Sequence, residues 1–302
     1  LFREPVRLPV YSLGASIDVS HYMRQRNGYS PGRSVNSRSI FILIGCLLVQ
    51  AFVVAAATEN EAIRDAIGST VLITGSNRGI GLEFTRQYAQ RGWKVIATCR
   101  SPDKALALNA LAQEFPNVII EPLDVTDHEM IDALAQKYQG TPIDILLNNA
   151  GINPSPGDQM LGSIDYDLFR TILETNTIGP MKMSEAFMKH VRASEQKKIM
   201  TLSSRMGSIE LSPQFRGATG PYRVSKAGVN MAMRVVYASV GRQGVIVGIF
   251  DPGLVDTDQA KSVPLEKMPA EVSVAAMIEV IDNFNSENSG RFIQYDGEAV
   301  PW

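Results

Sequence analysis

From residue 69 onward the chain alternates between short, almost wholly apolar runs and longer mixed stretches. The runs at 69–74, 94–99, 118–123, 143–147, 198–202, 245–250 and 291–295 read as strands. Between them, 80–91, 102–115, a segment opening at Asp127 and closing at Gly140, 166–193 running on through Pro180, 222–240 and 273–283 read as helices. Strands that are apolar throughout, rather than alternating with polar residues, are buried on both faces. Helices between such strands point to a parallel sheet with helices on either side. The expected fold is therefore α/β, a doubly wound parallel sheet of about seven strands. It forms one domain over 69–302, with ligands at the carboxyl ends of the strands.

The preceding residues do not continue this pattern. Residues 1–39 have no apolar periodicity, are rich in Arg, Ser and Gly, and carry only Glu4 and Asp18 as acids. They read as a disordered or artefactual leader. Residues 40–57 are apolar apart from Gln50, with Arg38 ahead and Glu59 and Glu61 behind. At about 1.5 Å per residue this run nearly spans a bilayer core of about 30 Å. With Ala55-Ala56-Ala57 as a cleavage site it also fits a secretory signal, and the Arg- and Ser-rich leader fits an organellar transit peptide. A fourth reading is mistranslated upstream sequence, with the real protein starting near Met23 or later. The protein is cytoplasmic on that reading, and membrane-anchored, secretory or organellar on the others. Any membrane contact is expected through 40–57 alone.

Composition narrows the function classes. The 302 residues carry a net charge of −2, which offers no basic field for nucleic acid. Cys46 and Cys99 both lie in apolar surroundings and read as buried thiols. His21, His128 and His190 are scattered, so no metal site is expected.

Candidate chemistry appears at Tyr222-Arg223-Val224-Ser225-Lys226. Tyr222 and Lys226 are four apart in a stretch free of internal proline, so they share a helix face one turn apart. An ammonium near a phenol favours the phenolate, which would pull the Tyr222 pKa down and make it a usable proton donor and acceptor. Taken alone, Tyr-x-x-x-Lys is common on solvated helix surfaces; other parts of the chain give it weight. After the first strand comes Thr74-Gly75-Ser76-Asn77-Arg78-Gly79-Ile80-Gly81. Gly75 permits a tight turn, Gly79 a close approach of backbone to phosphate, and Gly81 close packing of helix on strand. N–H groups at the helix start then face an anion. This is the site of a dinucleotide in a Rossmann-type sheet. The second strand ends at Arg100, where a carboxylate would suit the ribose 2′-hydroxyl of NAD and an arginine suits a 2′-phosphate. Arg78 offers a second cation, so NADP is expected in preference to NAD.

With these motifs in order, the chain resembles the short-chain dehydrogenase/reductase family over 69–302. Asp124 and Val125 match the adenine pocket, and Asn148-Asn149-Ala150-Gly151 the segment that steadies the sheet and contacts the cofactor. Asn176, Ser204, Tyr222 and Lys226 match the catalytic positions, and Pro252, Gly253, Val255 and Thr257 fall in the loop that holds the nicotinamide. Within the family it looks most like the C-factor and Sniffer type of carbonyl reductase. It departs from that group at Leu254, where an aromatic is usual, and at Gln259-Ala260-Lys261. Residues 259–269 are the expected substrate lid, so substrate choice is expected to have shifted.

The resemblance implies reduction of an aldehyde, ketone or quinone by hydride from NADPH. In it Ser204 hydrogen-bonds the carbonyl oxygen, Tyr222 gives the proton, Lys226 binds the nicotinamide ribose and Asn176 holds a water that relays protons. It also implies a homodimer or homotetramer. The helices from Asn176 and from Tyr222 carry Met181, Met183, Phe187 and Met188, and Met231, Met233, Val235 and Val236, on more than one face. The same pattern would arise in helices buried within one subunit. The alternative function is a cofactor-binding signalling or regulatory protein of this fold without turnover. Retention of all four polar positions weighs against it.

Overall fold

The computed structural model describes residues 68–154, 159–215 and 219–302. Every element described here belongs to the compact unit Asn60–Trp302. The segment at 40–57 and Cys46 lie outside the described residues.

Seven parallel strands form one sheet in the order 3-2-1-4-5-6-7: β1 (Thr70–Thr74), β2 (Lys94–Cys99), β3 (Val118–Pro122), β4 (Ile145–Asn148), β5 (Lys198–Leu202), β6 (Ile246–Asp251) and β7 (Phe292–Gln294). The order reverses between β1 and β4, which opens a crevice at their carboxyl ends. The helices are α1 (Gly79–Gln90), α2 (Leu106–Glu114), α3 (His128–Lys137), α4 (Tyr166–Leu173), α5 (Gly179–Ala186), α6 (Met188–Ala193), α7 (Gly220–Val240) and α8 (Ala270–Asp282).

Side-chain alternation along each strand feeds two cores. Val71 and Ile73 of β1 pack with Phe84 and Tyr88 of α1, Leu108 of α2 and Met277 and Ile281 of α8. Leu72, between them, points to the opposite face and joins Ile131 of α3, Met183 of α5, and Val229 and Met233 of α7. Each such fully buried side chain contributes about 1.5–3 kcal/mol relative to exposure.

Three local features differ from the sequence expectation. Residues 102–115 do not form one helix. Pro102–Lys104 is a 3-10 turn, and Ala105 leaves helical geometry at φ −88, ψ 61 before α2 begins. Residues 166–193 are broken twice, by a π-turn at Glu174–Ile178 and again at Phe187 with φ −92, ψ 4. Helix α7 begins two residues before Tyr222, so the tyrosine lies in its first turn. The expected cap of α3 is in place, with the Asp127 side chain accepting from the Met130 N–H at 3.0 Å.

Candidate active site

A cleft of about 420 Å³ lies over the carboxyl ends of the strands. The β1–α1 turn forms one wall. Gly75 takes φ +71, and a Cβ there would stand 2.9 Å from the Ala150 Cα. At Gly81 a Cβ would come within 2.2 Å of the Gly75 carbonyl oxygen. The turn therefore closes only with glycine at both places. Gly79, Ile80 and Gly81 line the cleft, and α1 has no side-chain cap at its start. Its first N–H groups suit the diphosphate of a dinucleotide.

Across the switch point, Asn149 ties β4 to this turn. Its Nδ2 donates to the Thr74 and Gly75 carbonyl oxygens at 2.7 and 3.1 Å, and the N–H groups of Asn149 and Ala150 both donate to Thr74 Oγ1. Asp124, at the end of β3, accepts from the Thr126 N–H and hydroxyl, which fixes the strand exit beside Val125.

The far end of the cleft holds Ser204, Tyr222 and Lys226. Ser204 follows β5, and the Met206 N–H donates to its Oγ at 3.2 Å. The next residue is clamped from β6: buried Asp251 accepts from the Arg205 N–H at 3.1 Å and pairs with its Nε at 2.9 Å. Ser204 and Tyr222 line this end of the cleft together. Lys226 is buried one turn along α7, with Nζ donating to the Leu202 carbonyl at 2.9 Å and lying 5.7 Å from the Tyr222 ring centroid.

Here the structure corrects the sequence expectation of a phenol held below its usual pKa. Burial pushes the Tyr222 phenol up, the hydrogen bond from Ser204 opposes that, and the Asp251 carboxylate adds to it. Burial also lowers Lys226 to about 8, against the pull of Asp251. Loss of hydration is the largest cause at both groups, and the ammonium's hydrogen bond goes to Leu202 and not to the phenol.

Asn176 sits in the π-turn below the cleft wall. Its Oδ1 accepts from the Ile152 N–H at 2.8 Å, while Nδ2 donates to the Ile152 carbonyl at 2.9 Å and to Ser225 Oγ at 3.0 Å. Both amide hydrogens are thus committed within the protein, so the side chain holds residues around Ile152 in place. Of the other positions expected from the sequence, Gly75, Asn77, Arg78, Gly79, Ile80, Gly81, Arg100, Asp124, Val125, Asn149, Ala150, Gly151, Pro252, Gly253, Val255 and Thr257 all line the cleft. Ser76 does not. It is fully buried, its hydroxyl donates to the Ile73 carbonyl and its N–H to the Thr98 carbonyl.

Two features escaped the sequence reading. Lys104 joins Arg100 at one end of the cleft, brought there by the 3-10 turn. Asp258, just ahead of the expected lid, and Gln259, its first residue, reach back across it: Asp258 pairs with Arg78 at 3.1 Å, and Gln259 Nε2 donates to the Gly151 carbonyl at 2.8 Å. The loop's base is pinned where Met268 exchanges backbone hydrogen bonds with Leu254 and Asp256.

Comparison with known proteins agrees with this geometry. A family model described as short chain dehydrogenase matches residues 69–267. The chain is 36% identical over 238 residues to 1-hydroxy-2-glutathionyl-2-methyl-3-butene dehydrogenase of Rhodococcus sp. (strain AD45), covering 78% of this chain and 100% of that protein. It is 38% identical over 162 residues to C-signal of Myxococcus xanthus, covering 53% of this chain and 93% of that one. Among solved structures it resembles the NADPH-bound carbonyl reductase from chicken fatty liver. That match has 32% identity and a TM-score of 0.72, over 78% of this chain and 99% of the other.

Proposed function

The chain belongs to the short chain dehydrogenase family, and on that premise we propose that it is an NADP-dependent carbonyl reductase with Tyr222 as its proton donor. The observation that carries this reading is the gathering of Ser204, Tyr222 and buried Lys226 in one cleft whose glycine turn suits a dinucleotide. The resemblance to an NADPH-bound carbonyl reductase supports both the cofactor and the reaction class.

When bound, the dinucleotide supplies a hydride to the carbonyl carbon of an aldehyde, ketone or quinone. Ser204 donates a hydrogen bond to the carbonyl oxygen, where negative charge develops. Tyr222 hands that oxygen its proton, giving the alcohol. A phenol kept neutral by burial is in the form this step needs. The Lys226 ammonium, close to the ring, stabilises the phenolate left behind. Arg100 and Lys104 would hold the 2′-phosphate, with Arg78 able to join them from its pair with Asp258. Asn176 acts at one remove, through Ile152 and Ser225.

The reading extends to assembly. Ile178 and Met181 at the start of α5, and Val224, Met231 and Val235 on α7, are exposed, while Met183, Phe187, Met233 and Val236 are buried within the subunit. The exposed set gives two adjacent helices an apolar outer face, which suits a two-fold contact between copies.

The test is NADPH oxidation by the purified protein against a panel of aldehydes, ketones and quinones. Turnover of at least one class is expected. NADPH binding without turnover of any would favour a signalling role, as the name of the Myxococcus xanthus relative suggests for that protein.

A further inference from the structure

Resting on Tyr222 as the proton donor, we propose that Gln159 is a positioning residue for that tyrosine. The first turn of a helix leaves its N–H groups without intrahelical partners. Helix α7 starts after Thr219, which takes the left-handed conformation at φ 54 and makes no side-chain cap. Its capping acceptor comes instead from a loop 63 residues earlier in the chain: the Tyr222 N–H donates to Gln159 Oε1 at 3.1 Å. The Gln159 side chain is fully buried, and its Nε2 donates to the Pro154 carbonyl at 2.7 Å and to Asn153 Oδ1 at 3.4 Å. A buried amide that lost these bonds would leave polar groups unpaired away from water, which is costly, so its orientation is fixed.

The other backbone group of Tyr222 leads to the same place. The Tyr222 carbonyl accepts from Ser225 Oγ at 2.6 Å, and Ser225 Oγ accepts from Asn176 Nδ2, whose amide grips Ile152. Both polar groups of the tyrosine's backbone are thus tied, through Gln159 on one side and Ser225 and Asn176 on the other, to residues 152–154. Ile152 and Asn153 line the cleft. The ring of bonds sets where the phenol stands relative to Ser204 and to whatever lies against the loop after β4. A displacement of about 1 Å in a reacting group can cost roughly a hundredfold in rate.

The experiment uses the full chain carrying 3-fluorotyrosine, with the Tyr222 fluorine resonance assigned by its loss in Tyr222→Phe. Gln159→Leu is expected to lower kcat for carbonyl reduction about 10–100-fold, with the NADPH Kd and carbonyl KM within about threefold of the parent. The Tyr222 resonance should move. Gln159→Glu keeps an acceptor oxygen at a helix start, where a carboxylate is favoured. It should recover most of kcat and return the resonance toward its parent position. An unmoved resonance with kcat within about threefold in Gln159→Leu would overturn the proposal. So would failure of both Gln159→Leu and the closer-fitting Gln159→Met to fold, since the residue would then hold the domain rather than the tyrosine. A parent protein inactive on every carbonyl sinks the reductase reading instead, and the fluorine shift still reports whether Gln159 places Tyr222.

Discussion

Lys226 and Tyr222 stand one turn apart on α7 with the lysine Nζ 5.7 Å from the tyrosine ring centroid, yet the ammonium donates to the Leu202 carbonyl and not to the phenol. The pair therefore sets a neutral phenol beside a cation whose own charge is costly to hold. Burial brings Lys226 to about 8, well below its ordinary value of 10.5.

This fixes the sign of a pH dependence. On the proposed mechanism the protonated lysine is the working form, so kcat/KM for NADPH should hold level below about pH 8 and fall above it, approaching tenfold per pH unit. Tyr222, raised by burial, stays protonated across that window and does not cause the limb. For folding, the stability linked to this lysine is complete above pH 10.5 and is lost as pH falls through about 8, because the folded state resists the proton. A rate profile flat from about pH 7 to 10 would remove the lysine charge from the reaction.

Cofactor choice should rest on Arg100. Arg100→Asp is expected to weaken NADPH binding about 10–100-fold and NADH binding by less than about threefold, the scale of a lost charge-assisted contact to the 2′-phosphate. Asp258 competes for Arg78 at an exposed pair, so Asp258→Asn should tighten NADPH about two- to threefold. Fluorescence titration reads both. Equal affinity of the unmodified protein for NADPH and NADH would contradict the assignment.

The exposed apolar face of α5 and α7 leads to an assembly prediction. The protein should scatter light as a dimer or tetramer at micromolar concentration. Met231→Glu, at a side chain 66% exposed in the subunit, should shift it toward monomer with little loss of thermal stability. A monomeric parent would show that these residues are ordinary surface.

Much of this was legible in the sequence where local pattern and burial agree. Strands β2 and β5 have the limits that their apolar runs suggest, because a strand covered on both faces has no polar alternation to blur its ends. Helix breaks were less visible. Alanine favours helix, so nothing at Ala105 announces that the chain leaves helical geometry there to bury it. The π-turn that aims Asn176 inward is set by packing against Ser225 of another helix. Ser204, Tyr222 and Lys226 could be singled out as candidates from their spacing, but not the sign of the Tyr222 shift, which depends on burial by distant segments. Gln159 and Asp258 gave no signal, since their partners Tyr222 and Arg78 are 63 and 180 residues away.

Tyr222→Phe tests the central proposal most directly. It removes the transferable proton and keeps the ring against Lys226. Reduction of the best carbonyl substrate should fall by about a thousandfold or more, at the upper end of a general-acid contribution. The NADPH dissociation constant should stay within about twofold of the parent, since the substitution removes one hydroxyl from the cleft and little else. A variant retaining activity within about tenfold of the parent would show that the proton comes from elsewhere.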